Sequence, residues 1–214
     1  ASNVYNTVQI GNQCWMKENL RTTRYANGTS IPLSSTDSYT NPCRYEPDNN
    51  SFNVSTYGYL YNWKAVMYTS SSSSSNPSGV QGICPNGWHV PSYWEWTQLT
   101  NYVGSLSQYQ CNNSDTYIAK ALSSTTEWNT SSTTCAIGND LSDNNATGFS
   151  ALPAGNYFYE NYHYLGNYAD FWSATILESY TEDAYSFYLG YSIAIVHNAQ
   201  KSRRYGLSVR CVRD

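Results

Sequence analysis

The segment CPNGWHVPSYWEWTQLTNYVG, residues 84–104, carries the strongest structural signal in the chain. Ser92 and Glu95 stand three apart, in the order of a capping box. The serine side chain can accept from the Glu95 amide while the glutamate reaches back to the Ser92 amide. Pro91 cannot extend a helix toward the N-terminus, and Gly104 supplies a stop. Between them Trp96, Leu99 and Val103 recur at helical spacing. The segment therefore predicts a helix that starts at Ser92, buries one aromatic-aliphatic stripe and ends at Gly104.

Outward from this helix the patterns differ on the two sides. Residues 4–10 alternate and meet Gly11-Asn12, a hairpin turn signal, with residues 13–16 as the returning strand. Residues 21–57 hold turn formers and no sustained period, which predicts a long ordered loop region. Residues 59–67 (YLYNWKAVM) have helical spacing, and residues 70–75 are a serine run read as a loop. A second helix is predicted over residues 115–122, flanked by Cys111 and Cys135, which could staple it. After residue 149 the texture becomes short aromatic strands, predicted at 157–159, 171–175, 184–189, 193–197 and 207–212. Helices first and an antiparallel sheet later argue for an α+β chain.

The 214 residues fit one domain over 1–214. Lys and Arg number 11 against 15 Asp and Glu, a net charge of −4, and only 12% of residues are charged. Aromatics reach 16%, with 22 tyrosines. Disordered chains are charge-rich and aromatic-poor, so disorder is excluded. A nucleic-acid binder needs a basic face, which this composition does not supply. No apolar run is long enough to span a membrane. The six cysteines lack metal-site spacing and read as three disulfides, which implies an oxidising compartment, outside the cell or on its surface. No leader-like segment opens the chain, and Ala1 fits a position just after a removed one.

Several segments, in order, are similar to one family: IGNQCWMKENL (10–20), YGYLYNW (57–63), CPNGWHVPS (84–92), GFSALPAG (148–155), FWSAT (171–175) and GLSVRCVRD (206–214). Together they resemble the bacterial Fibrobacter succinogenes major paralogous domain over nearly the whole chain. The resemblance implies a C-type lectin-like fold, with two main helices, a twisted antiparallel sheet, disulfide staples and close termini. It also implies a bridge from the first main helix region to the last strand, here Cys84–Cys211. Cys111–Cys135 is then the local pair, and Cys14–Cys43 is what remains of 15 connectivities.

Catalysis has few candidates. His89 reads as a hydrogen-bonded packing residue, His163 as a loop residue and His197 as a strand end. The resemblance includes formylglycine-generating enzymes, whose reactive thiols are at odds with cysteines read as bridges, so no enzyme is expected. Glu46-Pro47-Asp48 looks like a calcium-lectin triplet but stands before both predicted helices and reads as a turn. Residues 138–145 are the better calcium candidate, through Asn139, Asp140 and Asp143; otherwise no cofactor is expected.

Tyr, Ser and Asn are the residues recognition loops use, because tyrosine offers a rigid face with one polar tip. The C-terminal third is rich in them. The expected contact residues are Tyr162, His163, Tyr164, Glu178, Tyr180, Glu182, Ser186, Tyr188, Tyr191, His197, Asn198, Gln200, Arg203 and Arg204. Period 2 places Tyr185, Phe187, Leu189 and Tyr191 on one face, and Ser186, Tyr188 and Gly190 on the other. This layout resembles the variable proteins of diversity-generating retroelements: anchors such as Phe171, Trp172 and Leu189 flank positions whose residues adenine-directed mutation of an Asn codon yields. Glu178, Glu182 and Gln200 depart from that repertoire. The expectation is a non-enzymatic ligand-binding domain on a bacterial or phage surface, with a protein or glycan on another surface as partner. A calcium-dependent glycan lectin or adhesin, or a structural module of a surface assembly, are the alternatives.

Overall fold

The computed structural model describes residues 3–177 and 179–214. Glu178 lies outside the described residues. In chain order the elements are β1 (Thr7–Ile10), β2 (Gln13–Met16), β3 (Arg44–Tyr45), α1 (Asn53–Tyr57), β4 (Leu60–Tyr61), α2 (Trp63–Met67) and β5 (Trp88–His89). They continue with α3 (Tyr93–Gly104), α4 (Ala119–Leu122), β6 (Asn156–Phe158), β7 (Asn161–His163), β8 (Tyr168–Leu177), β9 (Tyr180–Gly190), β10 (His197–Ser202) and β11 (Val212–Arg213). The chain is a mixed α/β structure with few helices and several antiparallel sheets. One sheet runs β1-β2-β11-β5 and another β10-β9-β8; β3-β4 and β6-β7 form two small pairs.

Helix α3 forms as its sequence predicts. The Ser92 side chain accepts from the Glu95 amide, and Glu95 Oε2 accepts from the Ser92 amide at 3.0 Å. Glu95 is buried because its carboxylate is fully used: the Ser78 amide donates to Oε2 at 2.9 Å, and His89 Nε2 meets Oε1 at 2.6 Å. The cap thus ties the helix to two distant segments. Trp96 lies 4.7 Å from Trp15 and stacks on Phe187 at 5.4 Å. Such aromatic pairs contribute ~0.5–1.5 kcal/mol each beyond their buried area. At Gly104 a Cβ would meet the Asp115 carbonyl oxygen at 2.4 Å, so no larger residue fits where the chain turns away.

The last segment is not a simple strand with one inward face. Leu207, Ser208, Val209, Arg210 and Cys211 are all buried. Its residues pair in turn with different partners: Gly206 with Tyr157, Leu207 with Tyr61, Ser208 with Phe171, and Val212 with both Trp15 and His89. It threads between sheets instead of extending one. Arg210 is fully buried under two rings, 4.4 Å from the Phe149 centroid and 5.4 Å from that of Phe171. Its guanidinium donates to Asn19 Oδ1 at 2.9 Å, to the Ser150 carbonyl at 2.7 Å and to the Phe149 carbonyl.

Three expectations need correction. The second long helix reduces to the four residues of α4. Asn112 and Asn113 adopt left-handed backbone, and the Ser114 and Thr116 hydroxyls bond each other, so local side-chain turns win over a helix there. The strand expected at 193–197 begins only at His197, because Ile193 closes a turn onto the Gly190 carbonyl. The disulfides Cys84–Cys211 and Cys111–Cys135 form, but Cys14 and Cys43 are free thiols. Cys14 sits on the N-terminal hairpin opposite Gln9, whereas Cys43 belongs to a separate cluster with Tyr45 and Tyr57.

Candidate functional site

Aromatic and basic side chains of the C-terminal third line up in one continuous strip. Arg204 lies 5.5 Å over the Tyr159 ring, and Tyr159 meets Tyr205 at 6.2 Å. Tyr205 stacks on Phe158 at 5.0 Å, and Phe158 stacks on His163 at 4.0 Å. His163 meets Tyr164 at 5.7 Å, Tyr164 meets Tyr168 at 5.3 Å, and Tyr168 meets Tyr188 at 6.0 Å. His197 ends the strip, stacked on Tyr188 at 5.1 Å and 14°. Tyr159 and Tyr164 are exposed, and the intervening rings are half-buried edges of the sheet.

The backbone presents these rings at a cost. The turn joining β6 and β7 is Tyr159-Glu160, and both residues are left-handed, with φ of 48° and 59°. Two-residue hairpins favour positive φ but normally fill it with Asn or Gly. Tyr164 is left-handed as well, at φ 65°. Each such residue costs roughly 1–2 kcal/mol relative to ordinary backbone. Strained backbone of this kind clusters at binding sites.

Midway along the strip is a cup of about 290 Å³, lined by Asn156, Tyr164, Tyr168, Asp170, Tyr188 and Lys201. The Asp170 side chain is only 2% exposed. Its Oδ2 accepts from Asn156 Nδ2 at 2.9 Å and from Lys201 Nζ at 3.4 Å. The Lys201 ammonium also lies 5.7 Å over the Tyr188 ring. Among the described residues, Asp170 Oδ1, Asn156 Oδ1 and Ser186 Oγ are buried without a hydrogen-bond partner. An unsatisfied buried polar group costs about 1–3 kcal/mol. Burial, then the Asp170 charge and Tyr168, raise the Tyr188 phenol above its ordinary pKa, so it stays a donor.

The predicted contact residues divide. Tyr164, Tyr188, His163, His197 and Arg204 join the strip. Tyr162 packs edge-on against Tyr157 at 4.9 Å, beneath the β6–β7 hairpin. Tyr180 and Glu182 are exposed at the turn end of the β8–β9 hairpin. Arg203 instead covers Trp63, at 5.2 Å. Asn198 and Gln200 are exposed but pair with Phe187 and Tyr185, on the opposite face of the sheet from His197 and Lys201. One correction follows. Ser186 is 0% exposed, because β9 is the central strand and Ser186 lies between Trp172 and Ala199. Tyr191 is half-buried against a core cluster and does not join the run of stacked rings.

Sequence patterns missed Asp170, Asn156, Tyr168 and Lys201. One signal was available: Asp170 is the one charged residue in a mostly apolar ten-residue strand, and charges are rarely buried without a partner.

The remaining candidates carry less chemistry. His89 is buried, with Nε2 at 2.6 Å from Glu95 and Nδ1 at 2.7 Å from Asp214. Burial pulls its pKa down, but the hydrogen bonds and charges of the two carboxylates outweigh it, and the net shift is upward. At the calcium candidate, the Lys120 ammonium donates to the carbonyls of Asn139 and Asp140, where a cation would sit. The Asp140 carboxylate is engaged by the Ser142 amide at 3.1 Å and hydroxyl at 2.6 Å, which hold its pKa down. Among the described residues no group of three His, Cys, Asp or Glu side chains is arranged to hold a metal ion. Among the described residues no helix is long and apolar enough to cross a membrane.

Neither the curated proteins nor the solved structures contain a significant match to the chain. A family model does match, over residues 8–213, and those residues include every element described above apart from Thr7 of β1, and every strip residue. The chain therefore belongs to the Fibrobacter succinogenes major domain family.

Proposed function

We propose that the chain is a non-enzymatic, C-type lectin-like ligand-binding domain, displayed on a bacterial or phage surface, that contacts its ligand through the aromatic strip. The continuous run of rings from Tyr159 to His197 is the observation that carries this reading. A surface of rigid rings with polar tips binds at low entropic cost. Left-handed Tyr159 and Tyr164 support it, since nothing in local propensity favours tyrosine there. The absence of an enzyme role is supported by His89, whose two ring nitrogens both face carboxylates and leave none to accept a substrate proton. The first and last sheet segments meet where Val212 pairs with Trp15, which agrees with the close termini of a lectin-like fold. Two disulfides favour an oxidising location.

The test is binding to glycan and protein arrays, with calcium and with EDTA. A strip variant, Tyr159→Ser with His163→Ser and Arg204→Ser, is compared with an off-strip variant, Phe52→Ser with Trp94→Ser. Loss of binding only in the strip variant is expected. Loss only in the off-strip variant contradicts the proposal, and binding that EDTA abolishes moves it to a calcium-dependent lectin.

A further inference from the structure

We propose that the cup beside Tyr188 is a calcium-independent subsite for one neutral sugar ring bearing two adjacent free hydroxyls. This rests on the strip being the ligand face and names what one part of it takes. The size comes first: about 290 Å³ is at the low end for small-molecule sites and suits a single ring. The polar floor comes second. Asp170 Oδ1 and Asn156 Oδ1 are acceptors with no donor among the described residues. The Asn156 assignment is set by its Nδ2, which must donate to the Asp170 carboxylate. Buried polar groups are otherwise almost always paired, so two orphans on residues that line one cup point to donors that arrive with a ligand as the floor adjusts to it. Adjacent hydroxyls supply two donors at neighbouring positions.

Charge then discriminates between ligand classes. Asp170 is already neutralised by Lys201 at 3.4 Å. A cationic ligand would meet the Lys201 ammonium, and an anionic one would meet Asp170 behind it. A quaternary ammonium has no N–H for the orphan acceptors. A neutral polyol conflicts with neither charge, and its hydroxyl oxygens can accept from Lys201. The walls complete the fit: Tyr164, Tyr168 and Tyr188 line the cup and give it an aromatic surface for the C–H groups of a sugar.

The experiment titrates methyl glycosides of hexoses, pentoses and N-acetylhexosamines into the protein in EDTA, read by saturation-transfer and protein-observed NMR. Tetramethylammonium is a separate arm. At least one glycoside is expected to bind with a Kd of roughly 0.1–10 mM, shifting signals of Tyr168 and Tyr188. Its two deoxy analogues should each bind about tenfold more weakly. Tyr188→Ala should abolish the shift, and Asp170→Asn should weaken it about tenfold. The deoxy series needs only the wild-type protein, so the test survives if Asp170→Asn fails to fold. No glycoside binding up to about 50 mM, deoxy analogues that bind equally well, or binding by tetramethylammonium alone would each overturn the subsite. The parent reading fails separately, through Tyr159, His163 and Arg204 in the array experiment, since those residues lie outside the cup.

Discussion

Breaking the two disulfides separately should cost different amounts, and the order follows from where each closes the chain. Cys84–Cys211 spans 127 residues and Cys111–Cys135 spans 24. Restriction of the unfolded chain grows with the logarithm of the loop, which gives about 4.9 kcal/mol for the long bridge and about 3.5 kcal/mol for the short one at 25 °C. Packing widens the gap. Cys84 and Cys211 belong to a core cluster with Trp172, Leu207 and Val209, whereas Cys111 is only half-buried. The perturbation is the paired change Cys84→Ala with Cys211→Ala, against Cys111→Ala with Cys135→Ala. The assay is urea unfolding without reductant, followed by tryptophan fluorescence, since Trp15, Trp96 and Trp172 are buried. The long-bridge variant should lose more, by at least about 1.4 kcal/mol. Its m-value should rise, because an uncrosslinked unfolded chain exposes more surface. If the short-bridge variant is the less stable, or the long-bridge variant loses under about 2 kcal/mol, neither loop closure nor the buried position of Cys211 governs stability as argued.

Three further outcomes are expected. Arg210→Ala should destabilise by roughly 2–4 kcal/mol in the same assay, because it strands the buried Asn19 Oδ1 and two carbonyls; a loss under about 1 kcal/mol would show that water replaces the guanidinium. His89 has its pKa raised on folding, so its contribution is fully present below its unfolded pKa and is lost as pH rises through the folded one. Stability measured from pH 5 to 9 should fall across that window in the wild type and fall less in His89→Gln; equal slopes would contradict the link. Native protein should react with a thiol reagent at half-exposed Cys14 and not at buried Cys43, and unfolding without reductant should release the second thiol; a count of zero after unfolding would mean the third bridge forms.

Local signals were legible at several places where neighbours in sequence satisfy each other, though not at the side-chain turns of residues 112–116. The Ser92–Glu95 cap, the hairpin at Gly11-Asn12 and the Cys111–Cys135 staple are of that kind. What the sequence hid depends on distant partners. Residues 206–212 look like one strand, yet each pairs elsewhere, and burial on all sides erases the expected alternation. A distant cause also hid the burial of Ser186: β9 lies between β8 and β10, and its neighbours Trp172 and Ala199 cover a position that period 2 alone leaves open. The strip was half legible, since tyrosine-rich composition pointed to residues 157–205 but not to which rings touch. Asp170 and Asn156 gained significance only when β6 and β8 came together around them.

The claim that the strip is the ligand face is tested most directly by hydrogen–deuterium exchange of the protein with its tightest array ligand. Protection confined to segments carrying Tyr159, His163, Tyr164, Tyr188 and His197 is the predicted result. Protection centred on the segments of Phe52 and Trp94, with the strip unchanged, would contradict it.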